Sequence, residues 1–198
     1  MKSLRYLLFF LFIIQSIHLT AQTSSTDIVE VYVEQYGNRY LLNNNTVKLD
    51  RAPFTLVFIF KRPEKYNGIY INTSYSQDYF KLFPSEEIPD FRYLPQKVLS
   101  EYKFNPNNEL KIHPEFFQYL GYNEKRNWFK FNKIEKKDGR LIGYRKVENL
   151  NLADKNQILK VEENRFPLYL FFTVLEKTPE GFAPHKEVVR FKGKIKFK

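Results

Sequence analysis

The chain has 198 residues, of which 43% are hydrophobic and 18% aromatic, with no cysteine and a formal net charge of +10. So large an apolar share supplies a core and excludes a natively disordered polymer. The missing cysteine excludes disulfides, thiolate nucleophiles and Cys-ligated zinc, and with them the acylated cysteine of a bacterial lipoprotein.

Residues 1–21 read as a signal peptide. Lys2 and Arg5 form a positive start, Tyr6 to Ile14 is an apolar run, and Ala21 precedes Gln22 as a small residue at a cleavage point. The run is too short to cross ~30 Å of hydrocarbon as a helix, so the expectation is export to the periplasm or beyond, with no transmembrane span after processing. Cleavage leaves 177 residues and lowers the formal charge from +10 to +8, because Lys2 and Arg5 leave together. Residues 22–26 (Gln-Thr-Ser-Ser-Thr) have nothing to bury and are expected to lack structure.

From Asp27 onward the dominant period is two. Val29, Val31 and Val33 fall on one face of a strand and Glu30, Tyr32 and Glu34 on the other. Gly37-Asn38 turns the chain into Arg39 to Leu42, and Asn43 to Asn45 turns it again into Thr46 to Leu49. Phe54 to Phe60 is almost wholly apolar, as a strand covered on both faces would be. Asn67-Gly68 is expected to turn it back into Ile69 to Tyr75, with a further short strand at Asp78 to Phe83. Pro84, Pro89 and Pro95 mark a connection, followed by one or two short helices at Pro95 to Tyr102 and Pro114 to Leu120. Trp128 to Ile134 and Arg140 to Val147 form a hairpin turned by Asp138-Gly139. Pro167 to Glu176 and Glu187 to Phe197 are the closing strands.

Many short strands with regular turn signals, and no alternation with long helices, predict a mainly β fold: an antiparallel, immunoglobulin-like β-sandwich. Residues 22–198 are expected to form a single all-β domain. An echo between Arg51-Ala-Pro-Phe and Arg165-Phe-Pro-Leu leaves the alternative of two small β-domains split near 84–95.

No catalytic pattern stands out. His113 and His185 lack a nearby nucleophile or orienting carboxylate. Glu86, Glu87, Asp90 and Glu115 are the dispersed acids that a carbohydrate- or peptidoglycan-active hydrolase would have to use. Neither a metal-ligand spacing nor a nucleotide loop nor a nucleic-acid motif is present, so no cofactor, metal or nucleic-acid partner is expected.

Two features suit recognition. Tyr66, Tyr70 and Tyr79 stand among amides and hydroxyls, and with Trp128 they are the ligand-binding candidates, since flat rings beside adaptable polar groups suit sugars and protein surfaces alike. On the last strand Lys192, Lys194, Lys196 and Lys198 alternate with Phe191, Gly193, Ile195 and Phe197. That comb is either a basic face for an anionic partner or a guard on an edge strand against aggregation. The reading is a non-catalytic exported domain that binds a protein or glycan of the envelope. The alternatives are a hydrolase with dispersed acids and an envelope assembly component that contacts anionic lipid. Oligomeric state is left open.

Overall fold

The computed structural model describes residues 24–78, 108–112, 131–176 and 187–198, and the side chains at 66–68, 70, 72, 111, 175, 176, 187 and 188 are left aside. The described chain is mainly β. After one helical turn, α1 (Ser25–Ile28), come β1 (Val29–Gln35), β2 (Asn38–Leu41), β3 (Thr46–Leu49), β4 (Phe54–Phe60) and β5 (Tyr66–Ser74). Then follow β6 (Glu109–Ile112), β7 (Lys133–Lys137), β8 (Arg140–Val147), β9 (Asn149–Leu152), β10 (Gln157–Lys160), β11 (Leu168–Glu176) and β12 (Glu187–Phe197).

These strands make three sheets. One is antiparallel, in the order β2-β1-β4-β8-β7; a second runs β3-β12-β11-β5; a third runs β10-β9-β6. The second and third each contain one parallel pair, β12 with β3 and β6 with β9, so the fold is mixed rather than purely antiparallel. A single apolar cluster joins all three. Val31, Val33, Leu56 and Phe58 meet Ile69, Ile71, Phe172 and Ile195, together with Leu110 and Leu150. Phe58 and Phe172 touch edge to face at 6.3 Å between ring centres, and Phe172 stacks on Phe191 at 4.7 Å. Cluster residues lie on both sides of positions 84–95.

Alternation does most of the work. In β1 the three valines are fully buried while Glu30, Tyr32 and Glu34 are half-buried on the opposite face. β4 and β11 are central strands and are buried on both faces, which is why their sequences read as near-continuous apolar runs. Each follows a proline, Pro53 or Pro167, placed where no ladder hydrogen bond is lost.

Polar side chains close the gaps where strands end. Asn43 is buried. It accepts from the Val31 N–H at 2.7 Å and donates to the Val29 carbonyl at 2.9 Å and the Ser25 hydroxyl at 3.0 Å. It therefore continues the β1 ladder beyond β2 and ties α1 down, so Ser25 and Thr26 are ordered rather than structureless. Gln35 accepts from the Asp50 N–H at 2.9 Å and donates to the Ala52 carbonyl at 3.0 Å. Arg145 of β8, buried beside β6, donates to the Glu109 carbonyl at 2.6 Å. Burial lowers its guanidinium below the ordinary range, and the Glu109 charge partly opposes that.

Two further expectations need correction. Asn67-Gly68 is not a turn, because both residues lie in β5, where Gly68 pairs with Leu175. The chain instead changes direction at Lys61–Lys65, through a 3-10 turn at Pro63–Lys65, and passes from the first sheet to the second. β12 is not an edge strand, since β11 pairs with Glu187 to Ile195 on one side and β3 with Lys194 to Phe197 on the other. The third sheet had not been foreseen. The short helices at 95–102 and 114–120 lie outside the described residues, as does nearly all of the strand expected at 78–83.

Candidate functional site

On the first sheet, the face turned away from the core carries a cross-strand row of Leu41, Tyr32, Val57, Tyr144 and Lys133. Val57 is fully buried between two half-buried tyrosines. The Tyr32 hydroxyl donates to Glu30 at 2.9 Å and the Tyr144 hydroxyl to Glu135 at 3.0 Å, so both rings are held from the same side. Cations lie over them: the Arg39 guanidinium 5.7 Å from the Tyr32 ring centre and the Lys133 ammonium 5.5 Å from that of Tyr144.

Each carboxylate around this row is paired. Arg39 bonds Glu34 at 2.8 Å, Lys61 bonds Glu30 at 2.7 Å, Lys133 bonds Glu135, and Lys146 bonds Glu148 at 2.5 Å. Burial alone would raise the Glu30 carboxyl. The hydrogen bonds from Lys61 and Tyr32 and the charges of Lys61 and Arg140 outweigh it and hold the group below the usual carboxylate value. Glu135 is lowered by its hydrogen bonds to Lys133 and Tyr144. Both tyrosines are raised, first by burial and then by the carboxylate each one faces. The result is a fixed aromatic centre whose four neighbouring carboxylates are each matched to a cation, with Lys137 and Arg140 adding positive charge at the hairpin end of β7 and β8.

The face of the second sheet turned away from the shared core differs, being buried at Ser74 and along β11 and open only towards β12 and β3. Its cross-strand rows are Thr46, Lys194, Tyr169, Ser74; then Lys192, Phe171, Asn72; then Arg190, Thr173, Tyr70. No acidic residue occurs in them. Phe171 and Thr173 are buried, Lys192 and Lys194 are half-buried, and Lys196 and Lys198 are exposed. Lys194 lies 4.8 Å above the Tyr169 ring centre. Lys198 is paired with Asp50 at 3.2 Å. Lys48 of β3 is brought beside Lys196 by the parallel pairing, a neighbour that reading β12 by itself did not supply.

The register sets Tyr70 opposite Thr173, at positions that alternate with buried Ile69 and Ile71. Tyr66 opens β5, next to Glu176 in the ladder. Tyr79, Trp128, His113, His185, Glu86, Glu87, Asp90 and Glu115 lie outside the described residues. The tyrosine row that is visible, Tyr32 with Tyr144, was missed as a site. Its signal was the outward alternation Glu30, Tyr32, Glu34, matched in β8 by Ile142, Tyr144, Lys146; what the sequence did not show was that β4 would bring the two together. No family model matches the chain, nor does any curated protein or solved structure.

Proposed function

We propose that the chain is a non-catalytic, exported binding domain, an immunoglobulin-like β-sandwich that recognises a protein or glycan partner in the bacterial envelope. The carrying observation is the outward face of the first sheet, where Tyr32 and Tyr144 flank Val57 and each surrounding carboxylate is paired with a cation. Rings already fixed by hydroxyl bonds and covering cations lose little conformational freedom on docking, and charges already paired need not search for new partners. A partner that stacks on the rings displaces Arg39 and Lys133; one that presents carboxylates or hydroxyls keeps them in place. The export reading rests on residues 1–21, and the sandwich reading on the core shared by the first two sheets.

The test is capture from the envelope fraction and on a glycan array, comparing wild type with Tyr32→Ala/Tyr144→Ala. Each truncated anchor is expected to cost about 2 kcal/mol, or roughly 30-fold in affinity. A partner retained equally by the folded double variant removes the face from recognition. Robust turnover by the wild-type protein against a hydrolase panel removes the non-catalytic reading.

A further inference from the structure

A second surface lies at one end of the molecule and does not involve the tyrosine row. Tyr36, at the tip of the β1–β2 hairpin, is 71% exposed, and its φ of 52° with Gly37 at 78° makes the tight two-residue turn that projects it. The preceding residue, Gln35, bonds the carbonyls of Asp50 and Ala52, on either side of exposed Arg51. The Lys198 N–H donates to the Leu49 carbonyl, and Phe54 packs on Phe197 at 6.2 Å between ring centres. Tyr36, Arg51 and the ends of β3 and β12 are therefore gathered at one end.

The cations there are numerous and poorly balanced. Lys48 and Lys196 are paired strand to strand and exposed, Lys194 is one row further along, and Arg51 stands in the adjoining turn. Among the described residues none of these four has a carboxylate within ion-pair distance, and Asp50 is already engaged by Lys198. The lysines follow the sheet lattice, about 4.8 Å between strands and about 7 Å along one. An array of compact, unpaired ammonium groups spread over neighbouring strands suits diffuse anionic charge rather than a single bound ion. A lone exposed tyrosine beside them is the side chain that settles at a lipid–water boundary, with its ring among acyl carbons and its hydroxyl among headgroups.

We infer that this end of the molecule docks on the phosphate headgroups of an anionic membrane, with Lys48, Arg51 and Lys196 as the electrostatic contacts and Tyr36 as the interfacial anchor. The chemistry follows from unpaired positive charge and a projecting amphipathic ring on one end. Acidic polysaccharide offers the charge and a face to stack on, but no apolar layer beneath the charged surface for a projecting ring to enter.

The experiment is sedimentation of the protein, recovered from the export fraction, with vesicles of phosphatidylcholine alone or with about a third phosphatidylserine, an ordinary anionic lipid. All variants carry the same N-terminus. Wild type is expected to sediment with the acidic vesicles only, and to be released as salt shortens the screening length to a few ångströms. Each lysine near an anionic surface contributes about fivefold in partitioning, so Lys48→Gln/Lys196→Gln should lose about 25-fold. Arg51→Gln, in an exposed turn, gives an independent loss of about fivefold, and Tyr36→Ser should weaken binding to acidic vesicles at every salt concentration. Lys137→Gln/Arg140→Gln removes the same charge from the exposed end of the β7–β8 hairpin on the first sheet and should leave partitioning nearly unchanged. Equal loss in that control overturns the inference, because net charge alone would then explain binding. Undiminished binding by Lys48→Gln/Lys196→Gln overturns it too, as does wild-type binding to soluble acidic polysaccharide with none to vesicles.

Discussion

Replacing Gly193 by alanine tests the contact that holds β3 beside β12. A Cβ at Gly193 would lie 2.4 Å from Leu42 Cγ, 2.7 Å from Leu42 Cδ1 and 2.8 Å from the Leu42 carbonyl oxygen. Favourable carbon contacts begin at about 3.5 Å, so the overlap is about 1 Å. Leu42 is fully buried and has no open space to swing into. Its carbonyl belongs to a turn bonded on both sides: the Asn44 N–H donates to the Lys192 carbonyl at 2.6 Å and the Lys194 N–H to the Asn45 carbonyl at 2.9 Å. Moving the turn strains packing by about 1–3 kcal/mol and weakens one or two hydrogen bonds worth about 1 kcal/mol each. Gly193→Ala should therefore cost about 3 kcal/mol, which with a typical slope near 2 kcal/mol per molar urea lowers the unfolding midpoint by about 1.5 M. Leu42→Ala alone leaves a cavity and costs about 2–5 kcal/mol, but the double variant should be less destabilised than the sum, because the clash with the side chain is gone. A midpoint for Gly193→Ala within about 0.25 M of wild type, or strict additivity with Leu42→Ala, would refute the close approach. Acidic-vesicle partitioning should fall in the same variant, since the turn carries Lys48 to Lys196.

Asn43→Ala leaves the Val31 N–H and the Val29 carbonyl without their buried partner, and should destabilise by about 2–3 kcal/mol with faster hydrogen exchange at Val31, read by mass spectrometry or NMR. Glu30 is held below its ordinary pKa, so its stabilising contribution is fully present above the unfolded carboxylate value near ~4.3 and is lost as pH falls through the lower folded one. Glu30→Gln should accordingly be less stable than wild type at pH 7, by about 0.5 kcal/mol given its partial exposure, and the two urea curves should converge in acid.

How far the sequence could be read depended on the range of the interaction. β4 was legible to the residue because a central strand must be apolar on both faces, and the β7–β8 turn because Asp138 and Gly139 adopt the positive φ that the Asp-Gly pair favours. Asn67-Gly68 carried the same kind of signal and misled, since ladder pairing with β11 overrode the local preference for a turn. The β10-β9-β6 sheet was not legible: Asn149-Leu-Asn-Leu152 alternates for only four residues and contains asparagine, which strands disfavour. Nor was the parallel pairing of β3 with β12, whose turn contacts join Asn44 to Lys192 across 148 positions. The lysine comb was therefore visible as a pattern, but its second row was not.

That missing row changes what the comb can do. A single strand of alternating lysines is a line of charge, and on an edge it serves to keep other strands away. β3 closes over the last residues of β12 and becomes the sheet's edge, and it sets Lys48 next to Lys196, so the line becomes a surface. The first sheet shows the contrary arrangement, with Glu30, Glu34, Glu135 and Glu148 each matched to a cation. The two faces are drawn from the same lysine-rich chain, the second being buried along β11 and open along β12 and β3, and what separates their charge is where the glutamates fall in the period of two. Outward positions of β1 and β7 alternate acid with tyrosine or lysine, whereas outward positions of β3 and β12 from Arg190 onward contain no acid. The unbalanced charge therefore gathers on one face, and it meets the projecting Tyr36 only because Gln35 binds the turn at Asp50 to Ala52.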